Sequence, residues 1–283
     1  MQYIHYPYLG QFAPKLTTPG DASALRVIQG LWRGATRPWM VVAGYDFSRV
    51  ATSRVLTNSA STAAVIQRYY GLSSQVVYPP APGSFPDVPW KERAPTDFYT
   101  AGRLHPGKRQ DWIIGTLAEV RKSCPEVRLH IVGIPDALSA TYEASVRDLV
   151  RENRAWVDLH VSIPRSDLSK LAVRCRYTIH AMVDEHFGVA PAEGLLAGCI
   201  PFVHASGGQV EIVGNHPALC FDSREDAVEK IVRVLRDEQL QGELRDFLRP
   251  RAELFMPVTF MRRVLEETEA LLTGGFSGVP EAG

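Results

Sequence analysis

From residue 97 onward the chain repeats one pattern, and that pattern restricts the fold more than any other feature. Short apolar runs of strand length alternate with longer segments whose apolar residues recur at helical spacing. "DFYTAG" (97–102), "VRLHIVG" (127–133), "AWVDLHVSI" (155–163), "YTIHAM" (177–182), "IPFVH" (200–204) and "ALCFD" (218–222) read as strands. Helices are expected over 108–124, 137–153, 165–175, 190–198 and 224–239, with a helical turn over 208–214. In the first of these helices Trp112, Ile113, Leu117 and Val120 carry the spacing. Strands and helices in strict alternation imply a parallel sheet covered on both faces. Ligands of such sheets bind beyond the carboxyl ends of the strands, near the point where strand order reverses.

Upstream, Tyr78–Asp97 holds six prolines in twenty residues, too many for a helix or a central strand. A linker is therefore expected over 81–96, between a unit at 1–80 and a Rossmann-like unit at 97–257. In the first unit "QYIHYP" and "SRVLTNS" suggest strands, and "DASALRVIQGLW" and "STAAVIQRYYG" suggest helices. Two or three strands make a small α/β unit. Residues 258–283 are read as an amphipathic helix and tail, with Phe260, Met261, Val264, Leu265, Leu271 and Leu272 on the apolar side.

Lys plus Arg and Asp plus Glu number 31 each, so the net charge is zero and a non-specific nucleic-acid binder is not expected. No signal peptide and no membrane-length apolar run is visible. Cys124, Cys175, Cys199 and Cys220 lack metal-ligand spacing and read as buried free thiols in a reducing cytoplasm.

Three strand-to-helix loops carry chemistry-bearing residues. In "TAGRLHPGKRQDW", Arg103 and Lys108 flank a turn that opens a helix, which suits a diphosphate. A solvated basic turn looks the same. In "DEHFGVAPAEG", Glu185 and Glu193 straddle Phe187, Gly188, Val189 and Ala190 at a helix start. Pro191 suits the first turn, Gly198 suits the helix end, and Glu193 is expected near the positive end of the helix dipole. The bland alternative makes Glu193 a dipole complement and Glu185 a surface charge. In "HASGGQVEIV", Gly207 and Gly208 would expose amides to a phosphate or sugar, or simply form a tight turn. Cations and amides fit phosphates, and carboxylates fit sugar hydroxyls. A nucleotide-sugar uses all three loops at once.

"GRLHPGKR", "EHFGVAPAE", "ASGGQVEIV" and "YPP" at 78–80, in this order, resemble the donor-binding half of retaining glycosyltransferases of family 4, which have the two-domain GT-B fold. "IHAMVDEHFGV" and "IHYP" are nearest to the α-1,2-mannosyltransferases that extend lipid-linked oligosaccharides. The resemblance implies transfer of a hexose from a GDP- or UDP-linked donor to a glycan or lipid-linked acceptor, without a metal or other cofactor. It implies that Arg103 and Lys108 stabilise the leaving diphosphate and that Glu193 holds the ribose. Glu185 and the main chain at Phe187, Gly188 and Val189 would face the hexose, and the main chain at Ser162 and Ile163 the base.

The family's N-terminal acceptor domain is larger than residues 1–80. This unit is therefore read as truncated, with its open surface covered by self-association or a second polypeptide. The enzyme is expected in the cytoplasm or peripherally at a membrane. The alternative is a non-catalytic nucleotide-sugar module, or one half of a split enzyme. A dehydrogenase is disfavoured because no G-x-G-x-x-G follows a strand.

Overall fold

A computed structural model describes residues 1–5 and 54–273. The helix expected over 21–32 and the tail beyond 273 lie outside the described residues.

The larger sheet has six parallel strands: β4 (Ala94–Arg103), β5 (Arg128–Ile134), β6 (Val157–Val161), β7 (Cys175–His180), β8 (Ile200–His204) and β9 (Cys220–Phe221). Their order is β6-β5-β4-β7-β8-β9. The chain winds outward from β4 to β6, then returns to pair β7 with β4. The order reverses between β4 and β7, which opens a crevice at their carboxyl ends. The crossover helices are α2 (Gln110–Arg121), α3 (Ala140–Glu152), α4 (Arg165–Arg174) and α5 (Val189–Leu196), then the short α6 (Gln209–Ile212) and, after β9, α7 (Arg224–Arg236). One sheet face is buried by Ile113, Leu117, Leu129, Ile131, Ile179 and Phe202, the other by Tyr99, Val132, Leu168 and Val173. The sheet is thus covered on both faces, as the alternation requires.

The ends of elements shift by a few residues from expectation. The largest correction concerns the linker, because Ala94 and Pro95 already belong to β4. Ala94 pairs with Cys175, and the register slips between Ala94 and Phe98. That irregularity is where a strand tolerates a residue with no N–H to donate. Helix α8 (Glu238–Ala252) was not anticipated, and it contains Pro250 in its last turn.

Near the N-terminus, β1 (Gln2–Ile4), β2 (Val55–Thr57) and β3 (Gln75–Val76) form a separate parallel sheet with helix α1 (Ala60–Tyr70). Ser59 caps α1 through its hydroxyl. Helix α9 (Pro257–Thr273) reaches this unit: Glu267 pairs with Arg54, and Phe260 meets Tyr3 edge to face. The side of α9 read as apolar is largely solvated, with Met261, Leu265 and Leu272 all exposed. Among the described residues no helix is long and apolar enough to cross a membrane. All four cysteines are free thiols; Cys220 is only partly buried.

Candidate active site

The loops after β4 and β7 meet over the crevice. Lys108 ends a 3-10 turn, Pro106–Lys108, whose geometry is fixed by His105: the Gly107 N–H donates to its ring Nδ1 at 3.0 Å. The Lys108 stem crosses Gly102, and its Nζ donates to Glu185 Oε2 at 2.5 Å. His180, the last residue of β7, places Nε2 3.0 Å from the same oxygen. An ionised carboxylate only accepts, so the His180 proton sits on Nε2. Cation and imidazole thus converge on one carboxylate oxygen at the switch point.

Burial is the largest influence on Glu185 and would raise its pKa. The hydrogen bond from His180 and the charge of Lys108 outweigh it and hold the carboxyl well below its usual range. Burial depresses His180, with Lys108 adding to the effect and Glu185 opposing it. His180 is therefore neutral in the folded chain, while the unfolded chain takes up its proton near the ordinary value of 6.5. The resulting stability is complete above that value and is lost as pH falls below it. His180→Gln is expected to flatten the acid side of a melting-temperature profile below pH 6.5 by one proton, about 1.4 kcal/mol per pH unit. An unchanged slope rules out a buried neutral imidazole.

Arg103 lies at the same edge but is mostly solvated: its side chain is 65% exposed, with Asp136 at 3.5 Å. Arg109, a cation the motif reading passed over, has left-handed backbone (φ 55°) and donates to Ala181 O at 3.2 Å. It ties the β4 loop to the end of β7.

Glu193 departs from expectation. It lies in the second turn of α5, beyond the first-turn amides, and is buried. Its Oε1 is held by Arg165 at 2.5 Å, and Arg165 also donates to Pro82 O. Burial raises the Glu193 pKa and Arg165 opposes the rise. No motif signalled Arg165, which the spacing marks only as the start of a helix. The Phe187 side chain is buried, stacked on Tyr78 and tilted against Phe255. Its main chain alone is left to face the crevice. Gly188, in left-handed conformation (φ 103°), starts α5 where a Cβ would meet Pro191 at 2.9 Å. Val189 is exposed, and its N–H has no carbonyl one turn earlier to bond. Ser162 and Ile163 follow β6 at the same sheet edge, Ser162 in left-handed conformation (φ 51°).

At Gly207 and Gly208 the missing Cβ has a packing role, and the Gly208 amide is already used. The Gly208 N–H donates to Glu185 O at 2.7 Å. A Cβ at Gly207 would sit 2.1 Å from that carbonyl, and one at Gly208 2.3 Å from His186 O. The glycines let two loops lie against each other. Ser206 and Gln209 complete the support: Asp184 N donates to Ser206 Oγ at 2.7 Å, and Gln209 Nε2 to Met182 O at 2.6 Å. The N-terminal unit joins on the other side. Ser59 Oγ donates to His186 O at 2.6 Å, and Glu211 accepts from the amides of Ala60 and Ser61 at 2.9 and 3.1 Å.

Residues 87–253 match the family model described as glycosyl transferases group 1. A human relative named GDP-Man:Man(3)GlcNAc(2)-PP-Dol alpha-1,2-mannosyltransferase is 27% identical over 202 residues, covering 64% of this chain and 41% of its own. A Neurospora crassa protein of the same name is 26% identical over 312 residues, covering 94% and 55%. The chain spans about half the length of these relatives. Among solved structures, the pneumococcal O-GlcNAc transferase GtfA in complex with UDP and GlcNAc aligns with TM-score 0.63 at 18% identity, covering 77% of this chain and 45% of that one. Anabaena Alr3699/HepE in complex with UDP and glucose aligns with TM-score 0.63 at 18% identity, covering 77% and 63%. These neighbours have the GT-B glycosyltransferase fold.

Proposed function

The chain belongs to the glycosyl transferases group 1 family, and on that premise we propose that it transfers a mannosyl residue from GDP-mannose to a lipid-linked glycan. The donor and acceptor follow the names of the relatives. The observation that carries the reading is the Lys108–Glu185–His180 cluster at the switch point.

In this reading the donor lies along the carboxyl edge of the sheet. Its diphosphate meets Lys108 and the more exposed Arg103. Positive charge held where the leaving oxygen becomes negative lowers the barrier without reorganisation. Glu185 fixes the ammonium and offers Oε1 to the hexose, beside the N–H groups that open α5. Glu193, oriented by Arg165, offers Oε2 to the ribose. Main chain at Ser162 and Ile163 faces the base. Transfer proceeds with retention, as in family 4, and the protein's own cations take the charge that a metal takes elsewhere. The acceptor arrives at a membrane surface. Self-association or a second polypeptide completes the acceptor side next to α1.

A thermal-shift panel of GDP-mannose, UDP-glucose, UDP-GlcNAc and an ADP-sugar tests the donor assignment. A ligand at one hundred times its Kd stabilises by about 2.7 kcal/mol. GDP-mannose is expected to raise the melting temperature most. A shift confined to UDP-sugars overturns the donor, and no shift with any member overturns the site.

A further inference from the structure

The opposite edge of the large sheet holds a second concentration of charge. β4 begins at Ala94 and β7 at Cys175, so residues just before or at these starts lie at the amino ends of the strands, away from the crevice. Trp90 sits there with two guanidinia over its ring: Arg176 Cζ is 4.8 Å and Arg245 Cζ 4.5 Å from the ring centre. Arg176 also donates to Trp90 O at 3.2 Å. Arg93, buried, donates to the carbonyls of Val88 and Ala197 at 3.0 and 2.7 Å and meets no carboxylate among the described residues. Arg245, from α8, makes no hydrogen bond or ion pair among the described residues and rests only on Trp90. The nearby Asp246 is engaged by Arg249 at 3.4 Å.

Two arginines thus stack on one tryptophan, and Arg93 and Arg249 lie close enough to Arg245 to act on its charge. Burial first, then the charges of Arg249 and Arg93 and, least, Arg176 depress the Arg245 guanidinium, and Asp246 opposes them. Buried or half-buried charge without a counter-ion is costly. The deficit is one of negative charge and acceptor oxygens. A carboxylate has two oxygens and fills one guanidinium fork, whereas a phosphate can be shared among several.

We propose that Arg176 and Arg245, stacked on Trp90, form a second, phosphate-binding site on the face of the sheet unit opposite the donor crevice, with the buried Arg93 adding positive charge behind them. A soluble phosphate ester and a phospholipid headgroup share the required chemistry. Stacking on Trp90 holds two of the guanidinia in place, so little side-chain entropy is lost on binding.

Calorimetric titration with inorganic pyrophosphate is made on the full chain carrying Lys108→Ala, so that the donor crevice contributes little. Adding Arg245→Gln to this background is expected to weaken binding at least tenfold, with an unchanged melting temperature. In parallel, the wild-type chain and the Arg245→Gln variant are sedimented with phosphatidylcholine vesicles, with and without phosphatidic acid. Pyrophosphate binding alone assigns a soluble ligand, and sedimentation only with phosphatidic acid assigns a headgroup. The site is overturned if the wild-type residues at this face bind neither probe, or if Arg245→Gln changes neither measurement.

Discussion

Lys108→Ala is expected to lower sugar transfer by about 10²–10³-fold, the range for removing one preorganised donor to a developing negative charge. Lys108 is held in place before any donor arrives. Its side chain is only 23% exposed, and its ammonium is fixed by Glu185 at 2.5 Å. An ammonium so held needs no reordering when the leaving oxygen becomes charged. The same substitution also leaves the Glu185 carboxylate with only the His180 hydrogen bond, so its pKa rises. Arg103→Ala is expected to cost less, because that side chain is largely solvated and its Asp136 contact is long. Exposed pairs of this kind are worth about 0–1 kcal/mol. Initial rates at saturating donor, with nucleoside diphosphate affinity measured alongside, separate the two residues. For Lys108→Ala both kcat and nucleoside diphosphate affinity should fall, because the ammonium that meets the diphosphate is gone. Equal, small losses for both variants would return the basic loop to a solvated turn.

The sequence revealed what is local. Apolar spacing within ten or fifteen residues gave the alternation, and hence the doubly wound sheet, because each strand and helix shows its buried face in its own residues. Partnerships across the fold left no such trace. Lys108 and Glu185 were both singled out, yet nothing in either loop showed that two residues 77 positions apart bind each other. Their meeting depends on β7 pairing beside β4. His180 was read as strand, and Arg165 as the first residue of a helix. Glycine gave an ambiguous signal: at Gly207 and Gly208 the missing Cβ serves close loop packing, although the motif alone suited an anion nest equally well. Phe187 looked like part of a binding loop, but its ring obeys hydrophobicity and enters the core. Pro95 lies in a central strand because an irregular pairing beside it absorbs the missing donor.

Gly207→Ala is expected to cut turnover by about 10²-fold, although residue 207 need not touch the donor. Its backbone is left-handed (φ 71°), and a Cβ there would lie 2.1 Å from Glu185 O and 2.7 Å from Glu185 N. Those are backbone atoms, which have no rotamer to turn away. To restore contact distance the loop has to retreat by on the order of 1 Å, a misplacement that costs about 10²-fold when it falls on a positioning group. The retreat carries Glu185 with it and breaks the Gly208 N–H bond to Glu185 O, so the Lys108 ammonium loses its fixed partner. Left-handed strain adds about 1–2 kcal/mol of destabilisation. Gly71→Ala isolates that part, because Gly71 has φ 68° and no atom within 4 Å of an added Cβ. Both variants should lose melting temperature, but only Gly207→Ala should lose kcat at temperatures where each is folded. If Gly207→Ala retains the turnover of Gly71→Ala, the loop packing does not position Glu185, and the two glycines must instead act on the donor through their own main chain.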